Sequence, residues 1–221
     1  MTKLAIFDCD GTLVDSGASI YRALAETFDM HRLELPPPSD CRRVIGLSLT
    51  EAMAALLPDS DESAHLELAE SYKGCFLRAR ERGEVEEPLF EGNLELLDSL
   101  EADGWMLAVA TGKSHRGLKH CLERNGIHAR FVSLQTSDRH PSKPSPQMAL
   151  AAMADAGACA TSTVIVGDTS FDMAMAVAAG ASGIGVSWGY HDAGELVAAG
   201  ACAIADVPAQ VSALAREAVD G

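Results

Sequence analysis

Lys3-Leu4-Ala5-Ile6-Phe7 runs straight into Asp8-Cys9-Asp10-Gly11-Thr12, and this junction decides the architecture. Five mostly apolar residues that stop at an acid read as a short strand buried on both faces, as in a parallel sheet. Similar runs recur at 105–110, 131–135, 163–166 and 183–186, with a shorter one at 202–205. Helical spacing separates several of them. Leu94, Leu97 and Leu100 share one helix face and stop at Gly104; Leu118, Cys121 and Leu122 end at Gly126. Ser145 before Pro146 predicts an N-cap and first turn for a helix to Gly157. Ser170 is placed to cap a helix through Met173, Ala176 and Val177 to Gly180.

Alternating strands and helices predict an α/β protein, with a Rossmann-like, doubly wound parallel sheet as its core. The stretch after the first strand breaks that rhythm. It offers no good strand, but has Ile20, Leu24 and Phe28 at helical spacing, then Pro36-Pro37-Pro38. Ser48 and Glu51 have capping-box spacing ahead of Met53, Leu56 and Leu57, and a further helix fits 62–82. The division expected is a core of residues 1–14 and 87–221, with an inserted helical cap at 15–86.

The charge balance narrows the partners. Seventeen basic against 32 acidic residues give a formal charge of −15, which disfavours nucleic acid and anionic membrane surfaces. Most of those acids read as a solvated surface. Six cysteines are scattered without C-x-x-C spacing, which argues against a zinc site and a disulfide framework. With no leader-like start and no apolar run of about 18 residues, a cytoplasmic monomer or homodimer is expected.

In an open parallel sheet, ligands bind beyond the carboxyl ends of the strands. The polar residues there form a set: Asp8 and Asp10 after the first strand, Thr111, Gly112, Lys113 and Ser114 after the second, Lys143 before a helix, and Asp168 and Asp172 after the strand at 163–166. Asp8 and Asp10 lie two apart, so in extended chain they point the same way. Facing a phosphate dianion, each like-charged pair at 4 Å costs about 4 kcal/mol at an effective dielectric of 20. A hard cation offsets this, and Mg2+ fits, held by Asp8, the backbone carbonyl of Asp10, and Asp168. Lys143 adds positive charge, and Thr111 with nearby backbone N–H groups orients phosphoryl oxygens.

Plainer readings stand beside these. Asp168 and Asp172 also suit a helix N-terminus. Arg42 and Arg43 read either as a solvated helix face or as an anchor for a substrate's second anionic group. Gly112-Lys113-Ser114 looks like the end of a P-loop, but position 107 is Leu107 where that motif needs glycine. Gly183 and Gly185 begin a dinucleotide fingerprint that fails at Trp188. His115 and His120 are poorly spaced for a shared metal, and Met148, Met153, Met173 and Met175 read as core.

The runs from Asp8 to Ser16, Thr111-Gly112, Lys143-Pro144 and Gly167-Asp168-Thr169 with Asp172 resemble, in order, the four motifs of the haloacid dehalogenase superfamily. The cap is similar to that of its phosphoglycolate phosphatase and β-phosphoglucomutase branch. The resemblance implies that Asp8 attacks phosphorus and that Asp10 protonates the leaving oxygen and then activates water. It assigns the metal to Asp8, Asp10 and Asp168, supported by Asp172, and a phosphorylated small metabolite as substrate. It also implies cap motion on hinges near 14–16 and 86–88. The stretch Gly185 to Tyr190 is similar to one in phosphoglycolate phosphatases and is expected to lie far from the reacting centre. Cys9 stands where a bulkier apolar residue is common, and is expected to alter packing only. A phosphosugar mutase or a pyrophosphatase would share the catalytic residues. A phospho-accepting signalling module is the reading from another class, against which the cap and the place of the acid pair both count.

Overall fold

The computed structural model describes residues 1–220. β1 (Lys3–Phe7) lies in the middle of a six-stranded sheet of order β3-β2-β1-β4-β5-β6, every neighbouring pair parallel. Its partners are β2 (Trp105–Thr111), β3 (Phe131–Thr136), β4 (Thr163–Gly167), β5 (Ser182–Val186) and β6 (Ala201–Ala205). Burial on both faces explains the near-continuous apolar strands. Ala5 and Phe7 join Leu107, Val109 and Val166 in one core, while Leu4 and Ile6 join Ala108, Ala110 and Ile165 in the other. The strand order reverses between β1 and β4, so the crevice beyond their carboxyl ends is the topological switch point.

Between β1 and β2 come α1 (Gly17–Met30), α2 (Pro38–Arg43), α3 (Leu49–Leu56), α4 (Glu62–Glu81) and α5 (Asn93–Ala102). The first four bury an apolar cluster of their own, with Leu24, Phe28, Met53, Leu68 and Tyr72. Two connectors join them to the sheet and run side by side: the Asp15 N–H donates to the Pro88 carbonyl at 2.9 Å, and Val14 bridges Leu89 antiparallel. The remaining helices are α6 (His115–Arg124), α7 (Gln147–Ala156), α8 (Ser170–Ala179), α9 (Ala193–Ala198) and α10 (Pro208–Asp220).

Three local expectations shift. Leu94 is exposed, because α5 turns Asn93, Leu96, Leu97 and Leu100 inward, the i, i+3, i+4, i+7 set. Ser145 does not cap α7: its N–H is drawn back to the Ser142 carbonyl, and the helix starts at Gln147. Thr169, not Ser170, caps α8, in a reciprocal box with Asp172. The four methionines read as core are buried.

Candidate active site

Asp8, Lys143, Asp168 and Asp172 meet at the switch point. Lys143 Nζ lies 3.0 Å from Asp8 Oδ1 and 2.6 Å from Asp172 Oδ1, and Lys143 is only 1% exposed. The other Asp8 oxygen, Oδ2, is buried with no hydrogen-bond partner. Ligand oxygens from Asp8, Asp168 and Asp172 all lie within 4.8 Å of one another. Three buried carboxylates therefore face one ammonium. Burial pushes the Asp8 carboxyl up to about 7; Lys143 draws it down, and Asp172 and Asp10 add to the rise. Burial, then the Asp8 and Asp172 charges, hold Asp168 well above the carboxylate range. Burial opposes the charge on Lys143, but Asp172 and Asp8 together outweigh it and raise its pKa. Such a cluster lacks positive charge.

Asp168 is fixed from two sides. The Thr12 hydroxyl donates to Oδ1 at 2.7 Å and the Tyr190 N–H to Oδ2 at 2.9 Å. A Cβ on Gly11 or Gly189 would collide with the Asp168 side chain, so both glycines are required by close approach. The expectation that the Gly185 to Tyr190 stretch lies far from the centre is thus corrected: the loop after β5 folds back over the end of β4. Trp188 Nε1 adds a bond to the Thr12 carbonyl at 3.1 Å. Asp172 Oδ2 takes the Thr169 N–H at 3.1 Å and hydroxyl at 2.6 Å, so one side chain caps α8 and positions Lys143.

Asp10 parts company with Asp8. The chain turns immediately after the strand, with the Leu13 and Val14 N–H groups both on the Cys9 carbonyl, and the two carboxylates take different partners. The Asp10 carboxylate accepts from the Ser16 hydroxyl and pairs with Lys113 Nζ at 2.5 Å. Lys113 also reaches Glu87 Oε1 at 2.8 Å, and Glu87 Oε2 meets Arg80 of α4 at 3.2 Å. Asn93 Nδ2 pins the turn through the Thr12 and Leu13 carbonyls, each at 2.9 Å. Arg80 and Asn93 have no part in the sequence's expectations, Glu87 falls only in the expected hinge at 86–88, and Lys113 only among the polar residues expected after the second strand. The only available signal was Lys113 directly after Thr111-Gly112.

Thr111 and Gly112 end β2 beside this second group. The Thr111 hydroxyl accepts from the Lys113 N–H at 3.3 Å. A Cβ on Gly112 would strike the Leu47 and Gly46 carbonyls, so the loop between α2 and α3 sits directly on the sheet edge. The Ser48 N–H donates to the Ser142 hydroxyl there at 2.8 Å. Arg43 is not brought in: its exposed guanidinium pairs with Glu195 at 2.6 Å. Cys9 is buried against Cys121, whose hydrogen bond, with burial, lifts its thiol well above the usual range. A cavity of about 410 Å³ opens beside Asp10 and rises among α1, α3 and α4.

A family model described as haloacid dehalogenase-like hydrolase matches residues 5–186. The chain is 37% identical to a protein named probable phosphatase IndB from Dickeya dadantii, over 96% of this chain and 92% of that one. It is 29% identical to a phosphoglycolate phosphatase from Agrobacterium fabrum, over 87% and 83% of the two chains. A solved hydrolase from Pseudomonas syringae superposes with TM-score 0.84 at 26% identity, covering 96% of this chain and 98% of that one. No described helix is long and apolar enough to cross a membrane.

Proposed function

The chain belongs to the haloacid dehalogenase-like hydrolase family and is a phosphatase of that family, and on this premise we propose that it hydrolyses a small phosphate monoester with magnesium, through a phosphoryl group carried on Asp8. The observation that carries this reading is the buried Asp8 Oδ2, which lacks a hydrogen-bond partner while Lys143 holds the other oxygen.

The donor set fits Mg2+: hard oxygens, and a spacing near what bonds of about 2.1 Å span. Asp8, Asp168 and the backbone carbonyl of Asp10 would hold the ion, with Asp172 supporting. When bound, it supplies positive charge to the nucleophile and the phosphoryl oxygens.

The chain's own residues do the rest. Asp8 Oδ2 bonds to phosphorus as the bond to the leaving oxygen breaks, and Asp10, which must enter this step protonated and not as the carboxylate paired with Lys113, gives that oxygen its proton. Asp10, now a carboxylate, takes a proton from water as the water oxygen bonds to phosphorus. The bond to Asp8 breaks, and inorganic phosphate leaves. Lys143 offsets charge on the transferring group, and Thr111 with the N–H groups around Gly112 orients its oxygens. Residues 15–86 act as a cap moving on the connectors near 14–16 and 86–88; their separate apolar cluster and the paired connectors support this.

The test is release of inorganic phosphate, with and without magnesium, from phosphoglycolate, sugar phosphates, nucleotides and pyrophosphate. The phosphoglycolate phosphatase relative puts that ester in the panel. Turnover that survives Asp8→Asn in folded protein overturns the nucleophile assignment.

A further inference from the structure

We propose that the alcohol this phosphatase releases is mainly apolar and larger than glycolate, of about ten non-hydrogen atoms, and that it lodges in the cavity beside Asp10. The proposal rests on the phosphatase reading above and adds the substrate class.

The cavity meets the site at Asp10, the group assigned to protonate the leaving oxygen, and at Gly112, whose neighbouring N–H groups are assigned to the phosphoryl oxygens; the space beyond them, among the helices, is left to the leaving group. Its volume of about 410 Å³ is in the range of small-molecule sites. At about 30 Å³ per water-sized group, glycolate takes up roughly a third of it. The wall is the inner side of the helical cluster: Leu24, Ile45, Met53, Tyr72 and Phe76 line it, and the first four of these are buried.

The cations of the lining are mostly taken. Lys113 is held by Asp10 and Glu87, and Arg80 by the second Glu87 oxygen. Lys73 pairs with Glu70. Arg116 is exposed, with Asp138 also in the lining. Beside Asp10, at the inner end, a second carboxylate or phosphate on the substrate would have to break one of the Lys113 or Arg80 pairs and leave an acid unmatched. Arg43, the sequence's candidate for such a group, is turned to Glu195. Apart from the exposed Lys73 and Arg116 and the buried Arg80 Nε, what remains open to a ligand is mainly apolar surface.

Normal alkyl phosphates isolate this effect, because their leaving oxygens have nearly the same basicity. With magnesium present, kcat/KM is expected to climb about two- to fourfold per carbon from ethyl to hexyl phosphate. Hexyl phosphate and 2-naphthylmethyl phosphate should each exceed phosphoglycolate by about tenfold or more. Ala52 stands in the same wall, on α3. Ala52→Phe should lower the hexyl-to-ethyl ratio of kcat/KM, with Ala52→Leu as the milder filling if the first fails to fold. A flat series, a preference for phosphoglycolate, or an unmoved ratio in a folded filling variant overturns the proposal and leaves the phosphatase reading standing. No hydrolysis of any ester, phosphoglycolate included, overturns both.

Discussion

Two buried charge clusters share one sheet edge and are built differently. The first joins Asp8, Lys143, Asp168 and Asp172, and its acids stand at strand ends or the first turn of α8. The second joins Asp10, Lys113, Glu87 and Arg80, and it crosses from the strand ends through a connector to α4. The first has an excess of carboxylates. The second is balanced, two acids against two cations. A nucleophile and its metal site need fixed geometry, which strand ends supply. Asp10, the proposed acid–base group, is tied to α4 of the helical segment proposed to enclose the substrate. The difference implies that damage to the first cluster abolishes chemistry and metal response together. Damage to the second slows turnover and spares the metal response.

Asp8→Asn breaks the comparison at its strongest point. Loss of about 10⁴-fold or more in kcat is expected, read by phosphate release, because among the described residues the other buried carboxylate oxygens without a hydrogen bond, Asp172 Oδ1 and Glu87 Oε1, are each paired with a lysine. Lys143→Met comes next. It leaves Asp8 and Asp172 without their partner, a cost of about 3–5 kcal/mol. The melting temperature in magnesium-free buffer should fall by about 10 °C. Lys113→Met acts on the other cluster. A fall in kcat of about 10²-fold is expected, the lower end for a positioned acid–base group, with the magnesium-induced rise in melting temperature retained. Glu87→Gln should cost about tenfold in kcat, the scale of one charge-assisted hydrogen bond, again with that rise retained. If either second-cluster variant abolishes the magnesium response, the two clusters are one.

The smallest effect is electrostatic. The Asp8 carboxyl is raised from 3.8 to about 7 by burial, so between those values the metal-free fold binds more protons than the unfolded chain. Its stability therefore falls as pH rises through that window. Magnesium, competing with those protons, should raise the melting temperature by a few degrees more at pH 8 than at pH 5. An equal rise at both pH values, measured by differential scanning fluorimetry, would place the ion elsewhere.

The same division explains what could be read in advance. Asp8, Thr111, Asp168 and Asp172 were legible because a parallel sheet puts every strand's carboxyl end on one edge, and an apolar run that stops at a polar residue marks that end. Glu87 was not, since between Glu86 and Pro88 it reads as one more acid of a highly acidic chain. Asn93 looks like a helix-start residue, yet its amide faces inward and holds the Thr12 and Leu13 carbonyls. Tyr190 reaches Asp168 through its backbone N–H, which carries no residue identity; only Gly189, where any side chain would collide, left a trace. The Asp8–Asp10 spacing told only part: the chain turns after the strand, and the two carboxylates take different lysines, Lys143 and Lys113, while staying near enough that the Asp10 charge raises the Asp8 carboxyl.

The most direct measurement is the site of covalent phosphorylation. Asp10→Asn protein, mixed with magnesium and the best ester of the panel and quenched in acid within one turnover, is digested and analysed by mass spectrometry. A phosphoryl group on Asp8 is the result expected, since removing the Asp10 carboxylate slows the water step that clears it. A phosphoryl group on another residue, or steady phosphate release with no labelled peptide at any time, would contradict attack by Asp8.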